Sequence, residues 1–206
     1  MTVNSQSAQT AYEDWHDRLD VDGETDTPWH RLVKQHLDAE RDLAGKRVLE
    51  IGCGRGGFAC WLASHELHRP SQVVAADFAH TAVSKGRAFA AARGVNGITW
   101  EVADIQAIAH PVASFDTVIS CETVEHVPDP RHAITELARV LRPGGRLLLT
   151  TPNYLGTMGL YRGYMRLTGR RYTEEGQPIN NFMLLPRVRA WIGRAGLRIR
   201  EVDAVG

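Results

Sequence analysis

The chain has 206 residues, 43% hydrophobic and 23% charged, the length and balance of one globular domain with an ample core. Lys and Arg (24) match Asp and Glu (24), so no global charge advertises nucleic acid or an anionic membrane as a partner. Cys53, Cys60 and Cys121 form no CxxC pair and are odd in number, which argues against a disulfide framework or zinc site and for reduced thiols in a cytoplasm. The opening "MTVNSQSAQTAYEDWHD" is too polar and acidic for a signal or transit peptide, and no apolar run reaches the length of a membrane span. Charge is unevenly spread: residues 1–45 hold 10 acids against 4 Lys and Arg, and residues 154–206 hold 4 acids against 9 Arg. The basic segment either faces an acidic ligand or is ordinary solvated surface.

The first helix signal is Thr27 with Pro28, opening a stretch with Trp29, Leu32, Val33, His36 and Leu37 on one face. At that spacing Trp29 is expected in the core. From residue 46 strand and helix patterns alternate. "RVLEI" (47–51) precedes a helix over 57–67, and "QVVAAD" (72–77) precedes one over 79–93 that Gly94 ends. "ITWEVAD" (98–104) and "FDTVISC" (115–121) are further strands. Asp129 and Pro130 cap a helix over 131–141, "RPGG" stops it, and "RLLLTT" (146–151) is the fifth strand. An irregular stretch follows, then a helix over 186–194 and a strand "LRIREVDAV" over 197–205.

This alternation predicts a single α/β domain: a Rossmann-like, doubly wound, mainly parallel sheet flanked by helices. The expected layout is a helical cap over 1–45, a cofactor-binding core over 46–151, a lid and substrate insert over 152–185, and a final helix and strand over 186–206.

The chemistry centres on "VLEIGCGRGG", residues 48–57, at the carboxyl end of the first strand, where ligands bind in open parallel sheets. Gly52, Gly54 and Gly57 satisfy the dinucleotide pattern GxGxxG, which alone is weak. Glu50 helps decide. A pyrophosphate wants a helix N-terminus without a nearby carboxylate, whereas an acid beside the glycines suits a positively charged ligand. S-adenosylmethionine carries an ammonium and a sulfonium and no phosphate. Asp77, ending the second strand, suits ribose hydroxyls, and Asp104 with Ile105, ending the third, suits an adenine amino group and ring.

In order and spacing, "VLEIGCGRGG", "AADF", "VADI", "FDTVISCETVEHVPDP" and "LARVLRPGGRLLLTTPN" resemble the successive motifs of the class I S-adenosylmethionine-dependent methyltransferases. In motif the chain is most similar to ubiquinone-pathway small-molecule O-methyltransferases. The resemblance implies that Gly52, Cys53, Gly54 and Gly56 hold the amino acid part of the cofactor. It further implies Asp77 and Phe78 at the ribose and adenine edge, Asp104 and Ile105 at the adenine, and Cys121 under the methionine portion. The family usually ends in a reversed hairpin of two strands; the sequence carries the first, so the expectation is either a truncated chain or a sheet one strand short.

An alcohol or phenol acceptor usually needs a base near neutral pH. "CETVEHVPDP" (121–130) follows the fourth strand, and His126 is the only histidine in these strand-end motifs. It is the candidate base, with Glu122 as an orienting partner; the alternative is a histidine that caps or packs the turn before Pro128. Glu122, Glu125 and His126 would share a face if the turn is helical, raising a divalent metal as a further reading. In the RNA-methylating relatives that carry "ExxEH" a downstream histidine completes the metal site. Here Asn180 and Asn181, weaker ligands, stand in that stretch, so the metal stays open. The acceptor expected is a small molecule, aromatic or lipid-like with an anionic group, lying under "NYLGTMGLYRGYMRLTGRRY" (153–172), with Tyr12 and Trp15 closing the other side. RNA is not favoured, because the basic patch lacks a stacking platform. Two rival readings remain: an NAD-dependent oxidoreductase, from GxGxxG and Asp77, and a catalytically silent binding module.

Overall fold

Short runs rich in aliphatic residues become the five strands of one sheet. The computed structural model describes residues 5–18, 26–170 and 176–204. The strands are β1 (Arg47–Ile51), β2 (Gln72–Asp77), β3 (Ile98–Val102), β4 (Phe115–Ser120) and β5 (Leu141–Leu149). They pair in the order β3-β2-β1-β4-β5, and every pair is parallel. The order reverses between β1 and β4, so the switch point opens beside the glycine loop.

Alternation along β1 sorts the two layers. Leu49 and Ile51 pack on one face with Ile134 and Leu137 of α6 (Pro130–Val140) and Val188 of α8 (Leu185–Arg194). Val48 points the other way, with Phe58 and Leu62 of α4 (Gly57–Ala63), Val33 of α2 (Pro28–His36), and Leu43. Glu50, two residues from Val48, belongs to this second face. α5 (His80–Ala92) covers the β2 and β3 end, with Ala82, Val83, Gly86 and Ala90 buried. The expected α/β sheet with helices on both faces is what forms.

Local chemistry sets most boundaries. Thr27 caps α2, its hydroxyl accepting the His30 amide at 3.3 Å, and Asp129 caps α6 through the His132 amide at 3.1 Å. "RPGG" proves to be a bulge rather than a gap between elements. Phe115 pairs with Leu141 and Thr117 with Arg146, so 142–145 loop out and the strand resumes.

Three expectations need correction. Residues 197–204 are not a strand: Leu197 and Ile199 are half-buried in alternation, but no strand lies alongside to complete a ladder among the described residues, and Val205 is outside them. The supposedly irregular stretch contains α7 (Thr157–Leu167), on which Leu160, Tyr161, Tyr164 and Leu167 are exposed. Near the N-terminus, α1 (Ser5–Arg18) was not foreseen. It docks on the start of α5 through Glu13, whose carboxylate accepts the His80 and Thr81 amides at 2.6 and 2.8 Å. These are orphan donors at the start of α5, whose N-cap Ala79 offers no side chain to satisfy them. Among the described residues no helix is long and apolar enough to cross a membrane.

Candidate active site

A cavity of about 280 Å³ opens over the carboxyl ends of β1, β2, β3 and β4. Of the residues singled out in the sequence, Glu50, Gly52, Cys53, Gly54, Asp77, Phe78, Asp104, Ile105, Cys121, Glu122 and His126 all line it. They come from four separate strand ends, which is why only the fold unites them. Gly56 does not line it. A β-carbon there would come within 2.1 Å of the Trp100 ring and 3.4 Å of the Gly86 Cα, so Gly56 admits Trp100, with φ +72°. Gly52 is similar: its β-carbon would collide with Thr123 at 2.1 Å. Gly54 alone of these three faces open space, with φ +51°. Gly52 and Gly56 thus make room for side chains, and Gly52 and Gly54 both line the cavity.

The acids differ in state. Asp77 shapes the loop: Oδ2 accepts the Gly54 amide at 2.8 Å and Oδ1 the Ala79 amide at 3.0 Å, with His16 Nε2 at 3.8 Å. Glu50 is 3% exposed, and its Oε2 has no hydrogen-bond partner among the described residues. Burial, reinforced by the charge of Asp77, pushes its carboxyl up to about 8. An orphaned buried carboxyl beside open backbone is a site for a cation. Asp104 is turned back on Gln106, whose amide it accepts at 2.8 Å. Burial raises both Cys53 and Cys121 well above the ordinary thiol range, so both remain neutral thiols rather than nucleophiles.

His126 is 7% exposed and sits in a 3₁₀ turn, Val124–His126. Its Nδ1 lies 2.8 Å from the Ile179 carbonyl, and its Nε2 lies 3.6 Å from Glu125 Oε1. The Ile179 carbonyl thus orients the ring at Nδ1. Glu125 is fully buried, accepting the Thr151 hydroxyl at 3.0 Å, while its carbonyl accepts both the backbone and side-chain amides of Asn181. Glu122 precedes the turn with φ +46°, so the shared helical face expected for Glu122, Glu125 and His126 does not form. Among the described residues no group of three or more His, Cys, Asp or Glu is arranged to hold a metal ion.

Several lining residues were missed. Tyr12, Trp15 and His16 of α1 form one wall, as anticipated only for the first two. Burial lowers the His16 imidazole, which Asp77 partly counters. Trp29, expected in the core, lines the cavity half-buried, with Thr27 and His30 beside it. None of residues 153–170 lines it; Gln177 is the sole contribution from the segment expected to form a lid, among the described residues.

Comparison with known proteins agrees with this geometry. The family model for a methyltransferase domain matches residues 49–149. A ubiquinone biosynthesis O-methyltransferase of Xanthomonas euvesicatoria pv. vesicatoria is 32% identical over 196 residues, covering 90% of this chain and 77% of that protein. Among solved structures, a chain of the Haloferax volcanii complex between the Trm112 methyltransferase activator and a methyltransferase superposes with a TM-score of 0.74 at 20% identity. That match covers 97% of this chain and 80% of the other. An S-adenosylmethionine-dependent methyltransferase from Aquifex aeolicus superposes at 0.68 with 17% identity, covering 94% and 93% of the two chains. The motifs, the parallel sheet with its cation-seeking cavity and these relatives converge: the chain belongs to the class I S-adenosylmethionine-dependent methyltransferases.

Proposed function

We propose that the protein methylates an oxygen atom of a small molecule, with His126 as general base. One observation carries the choice of base: His126 Nδ1 is hydrogen-bonded to the Ile179 carbonyl at the wall of the cavity that Glu50 and Gly54 also line. A carbonyl only accepts, so Nδ1 carries the proton. A neutral imidazole held this way has its lone pair on Nε2, the form able to take a proton from an acceptor hydroxyl.

The remaining residues fit the cofactor's charges. Glu50, orphaned at Oε2, receives an ammonium; Asp77 accepts ribose hydroxyls; Asp104 and Ile105 take the adenine, with Phe78 at its edge. Gly52, Cys53 and Gly54 flank the amino acid portion and Cys121 lies under it, while Gly56 supports the loop through Trp100. When bound, S-adenosylmethionine supplies an electrophilic methyl group. The protein's part is to align the acceptor, exclude water and hold the base. Residues 1–45 act as a cap on the 46–151 core, and residues 152–185, with 186–206 behind them, bring Gln177 to the cavity wall beside an aromatic or lipid-like acceptor. The names of the relatives, O-methyltransferases of ubiquinone biosynthesis, favour oxygen and a small molecule. They lend nothing to an NAD-dependent oxidoreductase or a silent module.

The test is a panel of phenols, catechols and carboxylic acids incubated with S-adenosylmethionine and read by mass spectrometry for the gain of one methyl. An O-methylated product whose formation needs His126 is expected. Products methylated only at nitrogen or carbon would overturn the reading, as would stabilisation against heat by NAD and not by S-adenosylhomocysteine.

A further inference from the structure

We propose that Tyr12 is a positioning residue that holds His126 in its base-competent tautomer. The inference rests on the reading of His126 as the base. Tyr12 is buried on α1, and its hydroxyl donates to the His126 carbonyl at 3.0 Å across 114 positions of sequence. The Ile179 carbonyl is the acceptor 2.8 Å from His126 Nδ1. The Tyr12 hydroxyl therefore ties down the base's own backbone while the Ile179 carbonyl receives its ring proton. Were the His126 backbone to shift, its ring would move off the Ile179 carbonyl, and Nε2–H, the commoner tautomer of an unconstrained imidazole, would compete. That form has no lone pair on the nitrogen proposed to act.

The phenol does not act as a base itself. Burial raises it far above the ordinary tyrosine range, Glu125 and Asp77 add to this, and its one proton is already donated to a carbonyl. Its ring is held edge-on to Phe78 with centroids 6.4 Å apart, and Glu13 fixes α1 against the start of α5. The hydroxyl thus acts from a rigid support rather than from a loose terminus.

The experiment uses the full chain labelled with ¹⁵N-histidine, reading the ring tautomers by long-range proton–nitrogen correlation. Absence of one ring system in His126→Ala assigns His126 among the nine histidines. Wild type should show the Nδ1–H form, and Tyr12→Phe, which removes only the hydroxyl, should populate Nε2–H substantially. Gln9→Ala is the control, because Gln9 also ties α1 down, through the Phe78 carbonyl at 3.1 Å, without touching His126. It should leave the tautomer unchanged even where it lowers the melting temperature. With catechol as acceptor, Tyr12→Phe should cut kcat by about 10- to 100-fold while S-adenosylhomocysteine affinity changes less than about twofold. Adding Tyr12→Phe to His126→Ala should cost nothing more. An unchanged His126 tautomer in Tyr12→Phe, or an equal shift in Gln9→Ala, overturns the positioning role. A shifted tautomer together with wild-type turnover in His126→Ala instead overturns the base reading on which it rests.

Discussion

The acids Glu50 and Asp77 face one cavity in opposite conditions: Asp77 holds the Gly54 and Ala79 amides, while Glu50 Oε2 has no partner among the described residues. Glu50 is raised from 4.5 to about 8 by burial and then by the charge of Asp77. Linkage fixes the sign of the consequence. A group with a raised folded-state pKa binds its proton more tightly when folded, so its contribution to stability is full below about 4.5 and is lost as pH rises towards about 8. Glu50→Gln, unable to ionise, should flatten that part of the pH–stability curve, read by thermal melts. Binding an ammonium needs the ionised carboxylate, so S-adenosylhomocysteine should release close to one proton at neutral pH. Calorimetry in buffers of differing ionisation enthalpy measures this, and absence of proton release would place the ammonium away from Glu50.

Asp77→Ala should weaken S-adenosylhomocysteine binding by about 1–3 kcal/mol, the usual cost of losing hydrogen bonds to a charged acceptor. Because the same carboxylate fixes the Gly54 amide, the variant should also melt earlier, unlike a residue that only touches ligand. Titration calorimetry beside a melting curve separates the two effects. Unchanged affinity would remove Asp77 from the binding site.

The glycines separate in a different way. Gly56→Ala and Gly52→Ala force a β-carbon into Trp100 and Thr123, so both should destabilise the fold. Gly54→Ala meets nothing and should cost only the positive-φ penalty, about 1 kcal/mol. Gly54→Val should fold yet bind S-adenosylhomocysteine poorly, because its branches extend into the cavity. Melting temperatures ranked with Gly54→Ala lowest would contradict this assignment.

How much was legible follows from what is local. The strands could be read because aliphatic runs such as "QVVAAD" and "FDTVISC" are buried on both faces and end at polar residues that the cavity uses. The caps at Thr27 and Asp129 are written in four residues each. α1 was overlooked because it is polar overall, although Ala8, Tyr12 and His16, at i, i+4 and i+8, form a buried stripe that the spacing could have revealed. Trp29 was misjudged because helical spacing distinguishes inside from outside but not core from cavity wall. The Ile179 carbonyl beside His126 lies 53 positions away, and a backbone acceptor leaves no side-chain signature to search for. The last strand failed for the converse reason: Leu197 and Ile199 alternate with exposed neighbours, but 201–204 are all exposed, and pairing depends on a neighbour that alternation cannot supply.

The sharpest separation concerns His126 and Glu125, adjacent in sequence and opposite in expected role. His126→Ala should slow methyl transfer to a hydroxyl acceptor by about 10²–10⁴-fold, leaving S-adenosylhomocysteine affinity nearly intact. The loss should be greatest for acceptors of high pKa, whose proton is hardest to release, and should shrink for acidic phenols already ionised at the assay pH. Glu125→Ala should behave otherwise. Its carboxylate is fully buried with the Thr151 hydroxyl bonded to it, so truncation leaves a cavity and a hydroxyl without its acceptor. The cost is about 2–5 kcal/mol of stability, with near-normal turnover in the fraction that stays folded. A metal-dependent reaction predicts a different pattern: equal loss of activity in both variants, inactivation by chelator and recovery with Mg²⁺, Mn²⁺ or Zn²⁺. Turnover normalised to folded protein, measured with and without EDTA, decides between them. The geometry of the turn leads us to expect a chelator-resistant wild type, an inactive but stable His126→Ala and an unstable Glu125→Ala.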